Sequence, residues 1–144
     1  MTRSQRIKQI VKLSENKERK AAREFANSQK VLNEYKARLQ QLEDYRQEYL
    51  GYLKPGGELL SIKTIKERQA FICQIDEGIR MLKQQIDIHQ LMNVNERDKW
   101  LKQKQQLDTM ENIFERIHKA EKHIVEIREQ IQLDEHSQRQ SNHL

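Results

Sequence analysis

Helix-breaking residues in this chain of 144 residues are gathered at one place, Gly51-Tyr52-Leu53-Lys54-Pro55-Gly56-Gly57, with one further glycine at Gly78. A sequence so short of turn residues cannot be cut into many short elements. It predicts a helical arm over about residues 4–50, a turn over about 51–61 and a second arm over about 62–135, all within a single domain spanning 1–144. The polar stretch 136–144 has no periodicity and is expected to fray. Thr2 with Gln5, and Thr64 with Glu67, have the spacing of capping boxes, in which each side chain takes up an orphan backbone N–H at a helix start.

Both arms carry a seven-residue repeat. In the first, one set of positions reads Ile7, Ser14, Ala21, Ser28, Tyr35, Leu42, Tyr49, and the other Val11, Glu18, Phe25, Leu32, Leu39, Arg46, Leu53. The second arm begins more cleanly, with Ile65, Ile72, Ile79 and Ile86 interleaved with Ile75 and Leu82. It fades across His89, Asn93, Glu96 and Gln103, where Leu91, Val94 and Leu101 suggest a stutter, and resumes as Leu107, Met110, Phe114, Ile117, Ile124 and Ile131. No strand-like alternation occurs. The expected fold is therefore all-α, a long two-helix antiparallel coiled-coil hairpin with a longer second helix.

Folding the arms back at the turn sets Leu42 near Ile72 and Ile75, Leu32 near Leu82, and Phe25 near His89. The weak stretch of the second arm then falls opposite Ser14 and Glu18, themselves weak seam positions, so the half near the turn is expected to pack better. At 1.5 Å rise per residue the second arm overshoots the first by roughly 35 Å. That overhang carries Ile113, Phe114, Ile117, Ala120, Ile124, Ile127 and Ile131. A lone amphipathic helix is rarely stable with its apolar face in water, so a partner or a second copy of the chain is expected to cover it.

Composition fits long helices along a narrow seam. Only 35% of residues are apolar and 34% are charged, too little apolar mass for a compact core, while the regular spacing argues against disorder. The net charge of +5 is compatible with an acidic partner or nucleic acid and requires neither. A single cysteine, Cys73, makes no internal disulfide and reads as a small packing residue beside the seam, with a reducing cytoplasm as the expected compartment. The N-terminus lacks the apolar stretch of a secretory signal, and no 18-residue apolar run is present to span a membrane. There is no glycine-rich phosphate loop, nucleophile elbow or paired-cysteine or HExxH metal spacing, so neither an enzyme nor a cofactor or metal site is expected. His118 and His123 lie on different helical faces with no carboxylate in chelating register, and Glu115 pairs naturally with Lys119 at i,i+4.

Three features point to binding. The first 23 residues hold Arg3, Arg6, Lys8, Lys12, Lys17, Arg19, Lys20 and Arg23 against two glutamates. This is either a solvated helix face or an electropositive tip for an acidic protein surface; no aromatic or glycine interleaving supports nucleic acid. Tyr45, Tyr49, Tyr52 and Phe71 cluster beside the turn, and Tyr45 and Phe71 sit one position off the seam. They either pack around the turn or form an exposed aromatic patch of the kind enriched at interfaces. Gly78 interrupts a good helix, which marks a close helix–helix approach or a shallow notch in that patch.

The stretch Leu42-Glu43-Asp44-Tyr45-Arg46-Gln47-Glu48-Tyr49, the glycine-containing turn, and Phe71-Ile72-Cys73-Gln74-Ile75-Asp76-Glu77-Gly78-Ile79 resemble the flagellar FliJ family. Trp100 with its flanking lysines, Glu115-Arg116, Asp134-Glu135 and Ser137-Gln138-Arg139 fit as well, so the resemblance runs over most of the chain. It implies a non-catalytic component of the flagellar type III export apparatus, similar in shape to the central stalk of rotary ATPases. Such a protein sits in the export ATPase hexamer, promotes ring assembly, contacts the export gate membrane protein through its cytoplasmic part, and binds export chaperones. It serves flagellum biogenesis, and through it motility and chemotaxis, as a cytoplasmic protein peripheral to the inner face of the inner membrane at the flagellar base.

Carried onto this sequence, the resemblance puts the gate-binding surface at Leu42, Tyr45, Tyr49, Phe71, Ile75, Gly78 and Leu82. With both chain ends in the ring, ATPase binding is expected at Arg3, Arg6, Lys8 and Lys12 and at Ile113, Phe114, Ile117 and Ile124. Arg38, Gly78 and Leu82 stand where Gln, Ala and His can occur in the family, which alters the rim of the gate surface. No nucleic acid and no membrane insertion are expected, and self-association is expected to be weak. The stalk of a virulence secretion system, a scaffold dimerising through residues 110–131 and a basic nucleic-acid binder remain as alternatives.

Overall fold

A computed structural model of the protein describes residues 1–51 and 61–142. They form two helices, α1 (Arg3–Gly51) and α2 (Ile62–Asn142), which pack on each other as an antiparallel hairpin. The described residues are 98% helical, with no strand among them. The expected turn, with Tyr52 and Leu53, lies almost wholly outside the described residues, as does the end of the tail.

The helix starts follow local chemistry. At α1 the capping box forms as the spacing predicts: the Thr2 N–H donates to Gln5 Oε1 at 3.0 Å, and the Gln5 N–H donates to Thr2 Oγ1 at 3.2 Å. At α2 the cap is Ser61 instead of Thr64. The Thr64 N–H donates to Ser61 Oγ at 3.2 Å, and Ser61 begins the intrahelical ladder by accepting from the Ile65 N–H at 3.0 Å. At the other end α2 runs on through 136–142, past the expected limit near residue 135. That stretch contains neither Gly nor Pro, and the Gln130–Asp134 and Gln140–His136 side-chain pairs bridge successive turns.

Every described residue of the seven-residue repeat in α1, from Ile7 to Tyr49, is buried or half-buried. On α2 the inner face runs unbroken from Ile72 and Ile75 through Ile79, Leu82, Ile86, His89, Asn93, Glu96, Trp100 and Gln103 to Leu107, Met110, Phe114 and Ile117. The spacing alternates three and four throughout, so the expected stutter is absent. Leu91, Val94 and Leu101, which suggested it, are exposed. Polar side chains occupy the seam there, and geometry holds the face where apolarity does not. Cys73, expected to pack, is exposed because it follows Ile72 by one residue and so turns outward.

The register also differs from expectation. Tyr35, not Phe25, meets His89, with ring centroids 4.6 Å apart and planes at 21°. A seam with a seven-residue repeat keeps its buried face under a slide of one repeat, so periodicity alone cannot choose the register.

The chain divides into two units, Met1–Ala21 with Trp100–Leu144, and Ala22–Lys99. In the first, Ser4, Val11 and Ala21 are buried; in the second, Leu32, Ile72, Ile75 and Ile86. No described side chain is fully enclosed, because a two-helix seam leaves each one a wet edge. Each of the buried isoleucines contributes on the order of 2 kcal/mol by leaving water, so stability is spread along the seam.

Candidate functional site

In the unit Ala22–Lys99, successive turns of α1 present Tyr45 and Tyr49, and α2 presents Phe71. The Tyr45 ring meets Phe71 edge-on at 6.1 Å, Tyr49 lies 4.8 Å from Phe71, and the two tyrosine rings are 6.2 Å apart. Tyr49 and Phe71 are half-buried, and Tyr45 remains exposed. Ring-to-ring contact thus fixes an outward-facing aromatic surface in advance of any partner. Tyr49 packs on the seam, and Tyr45 faces water.

The remaining residues expected at this surface lie on or beside the seam, with Gly78 and Leu82 about two and three turns of α2 beyond Phe71. A Cβ built on Gly78 would come within 3.1 Å of Leu42 Cδ2, so the glycine permits a close approach of the helices. Ile75 is buried, and Leu42 and Leu82 are half-buried on the seam. These three lie on the seam, and none of them is exposed. Arg38 lies over the Tyr35 ring at 5.3 Å, which holds its charge at the rim.

The other flank of the same unit is ionic. Arg46 Nε donates to Asp76 Oδ1 at 2.5 Å, and this bond, helped by the Asp76 charge, raises the arginine further above its ordinary pKa. Arg80 binds Glu77 one turn away along α2, and that bond lowers the Glu77 carboxyl below its usual range. Sequence reading missed this flank, although Arg46 at a seam position signalled a charge needing a partner from the facing helix.

In the unit Met1–Ala21 with Trp100–Leu144, α1 has no acidic residue in its first turn. Glu121 of α2 supplies the negative charge: Ser4 Oγ–H donates to its Oε2 at 2.5 Å, and the Ser4 N–H to its Oε1 at 3.2 Å. The side-chain bond from Ser4 lowers the Glu121 carboxyl most, and the Ser4 N–H and the charges of His118 and Arg3 add to the shift against the cost of burial. Beside this contact lies an open hollow of about 890 Å³, lined by Phe114, Ile124 and Val125 together with Arg3, Lys8 and Arg128. Of the expected ring-binding residues, Arg3, Lys8, Phe114 and Ile124 therefore meet at one place. Arg6 and Lys12 are exposed away from it, and Ile113 and Ile117 are half-buried.

Farther along this unit, the Trp100 Nε1–H donates to Glu18 Oε1 at 3.0 Å, and Lys104 stands 5.3 Å from the centre of the indole. Beyond Glu121 every described residue of α2 is exposed, including Ile124, Ile127 and Ile131. His118 stacks on Phe114 at 5.4 Å. Among the described residues no three His, Cys, Asp or Glu side chains are grouped to hold a metal ion, and no helix is long and apolar enough to cross a membrane.

The family model described as "Flagellar FliJ protein" matches residues 3–143. The chain belongs to that family. Membership makes it a component of the flagellar type III protein export apparatus, consistent with its coiled-coil helices. No curated protein and no solved structure matches the chain.

Proposed function

We propose that the chain is the stalk of the flagellar export apparatus, binding the export ATPase hexamer near its two termini and the cytoplasmic part of the export gate near its turn. Energy conversion belongs to those partners, and this chain contributes shape and two adhesive surfaces. The gate contact is made by Tyr45, Tyr49 and Phe71, with Leu42, Ile75, Gly78 and Leu82 on and beside the adjoining seam. The ring contact uses Arg3, Arg6, Lys8 and Lys12 together with Ile113, Phe114, Ile117 and Ile124. Export chaperones bind the same protein during their cycle, at the cytoplasmic face of the membrane at the flagellar base.

The observation that carries this reading is the Tyr45–Tyr49–Phe71 cluster, an aromatic surface held by ring contacts while one ring stays in water. Aromatic side chains pre-ordered in this way lose little freedom on binding, a property of interface hot spots. The basic, apolar hollow beside Ser4 and Glu121 supports the second contact, because an acidic partner surface with an apolar ridge would complement it. The test is calorimetric titration of the cytoplasmic part of the gate protein with the wild type and with Tyr45→Ala/Phe71→Ala. The double variant should bind at least about tenfold more weakly with unchanged far-ultraviolet dichroism. Loss of helicity would mean that the pair is core.

A further inference from the structure

The unit Ala22–Lys99 has two unlike flanks. Tyr45 and Phe71 each precede a seam residue, Arg46 and Ile72, and their edge-on contact sets these preceding positions on one side of the hairpin. Away from the rings the same positions are Gly78, Gln85 and Met92 on α2, and Arg38 and Val31 on α1. Met81 and Ile88 follow Gly78 and Gln85 by three residues, so they occupy the next strip round α2 on that side. Tyr35 stacks on His89, and one turn farther along the antiparallel pair Val31 comes opposite Met92.

These residues form an apolar track: Tyr45 is 45% exposed, Met81 56%, Ile88 50%, Met92 51% and Val31 36%. The opposite side holds Gln40, Glu43 and Gln47 of α1 and Asp76 and Lys83 of α2 around the Arg46–Asp76 pair. The Arg46–Asp76 pair thus lies on one flank, and Val31, Tyr45, Met81, Ile88 and Met92 on the other, with Arg38 among them. Leu91 and Val94 are also exposed, but their helical positions turn them away from the track.

We propose that this flank is a docking track for one amphipathic helix of the protein that binds the Tyr45–Phe71 rings, an inference that rests on the gate-binding reading. Met81, Ile88 and Met92 recur at i, i+7 and i+11 on α2, the periodicity that a third helix laid along a hairpin matches with its own apolar stripe. Gln84, Gln85 and Asn95 border the track on α2, so the docked helix is neutral along that edge, and Arg38 is the charge it meets on the α1 side. The exposed apolar area is on the order of 400 Å², the size of a functional surface patch. It is about half of the roughly 800 Å² that each partner gives to a stable complex, which suits an extension of the aromatic contact better than a pairing of two copies of this chain by the track alone.

The experiment titrates the cytoplasmic part of the export gate with the full chain carrying Ile88→Gln/Met92→Gln, with Leu91→Gln, and with Tyr45→Ala/Phe71→Ala, checking helicity in each. The track variant should lose about tenfold in affinity, and Leu91→Gln should bind as the wild type does. Wild-type binding by the track variant, with binding lost in the ring variant, overturns the track and leaves the gate reading standing. Wild-type binding by the ring variant overturns both. In a Cys73→Ser background, a photo-crosslinker on Met81→Cys, Ile88→Cys or Met92→Cys should capture positions on one face of a single partner helix. Capture of a second copy of the chain, scattered capture or none would overturn the helical occupant.

Discussion

At Gly78 two opposed effects meet. A glycine inside a helix costs about 1 kcal/mol relative to alanine, whereas a Cβ here would lie 3.1 Å from the end of the Leu42 side chain. Leu42 is half-buried at the seam edge and is free to yield by a few tenths of an ångström. Gly78→Ala should therefore stabilise the chain by about 0.5 kcal/mol, read as a higher melting temperature; a lower one would mean that Leu42 cannot move. At Ser4 the relevant quantity is pH. The folded chain holds the Glu121 carboxyl below its ordinary value of 4.5, so near that pH it binds fewer protons than the unfolded chain. The contact contributes fully above that value and is lost as the pH falls through the lower, folded one. Acidification across this window should lower the melting temperature of the wild type more than that of Ser4→Ala; equal slopes would mean that the contact does not form in solution. The Thr2–Gln5 box was legible because its partners are three residues apart, but Ser4 and Glu121 meet only through the fold.

Among elements, α2 teaches most about what a sequence discloses. Its inner face keeps the three-and-four spacing through His89, Asn93, Glu96, Trp100 and Gln103, but apolarity shifts to Leu91, Val94 and Leu101 on the outside. Reading hydrophobicity alone therefore suggested a stutter where the helix has none. Fold class and both arms followed from the single breaker cluster and the repeat, while register depended on the Tyr35–His89 and Tyr49–Phe71 contacts, which no local pattern encodes. Asn93 marks the cost of a polar seam: its Oδ1 is buried with no hydrogen-bond partner among the described residues. Asn93→Leu should raise stability by about 1–2 kcal/mol, measured by urea denaturation. No gain would mean that the oxygen is satisfied in solution, for example by an ordered water. Trp100→Phe should act in the other direction by about 1 kcal/mol, because Glu18 loses the indole donor at a seam position.

For the whole molecule, the aromatic cluster was legible because Tyr45 and Phe71 fall one position off a regular seam, and only residues that interrupt a pattern stand out from it. Of the ionic flank only Arg46 at a seam position was legible, and the hollow beside Ser4 was not, since both are made by side chains brought together across the hairpin. Family membership supplies the setting, flagellar protein export, and the two surfaces supply the proposed division of labour between ring and gate. The central claim is that this chain acts on the export ATPase as a stalk. The most direct test measures the hydrolysis rate of the same organism's export ATPase during titration with this protein, with ring formation followed in parallel by light scattering. The account predicts faster hydrolysis together with ring assembly, and loss of both when Arg3, Lys8 and Ile124 are replaced together by Glu. An unchanged rate and no rings at a large molar excess of the protein would contradict it.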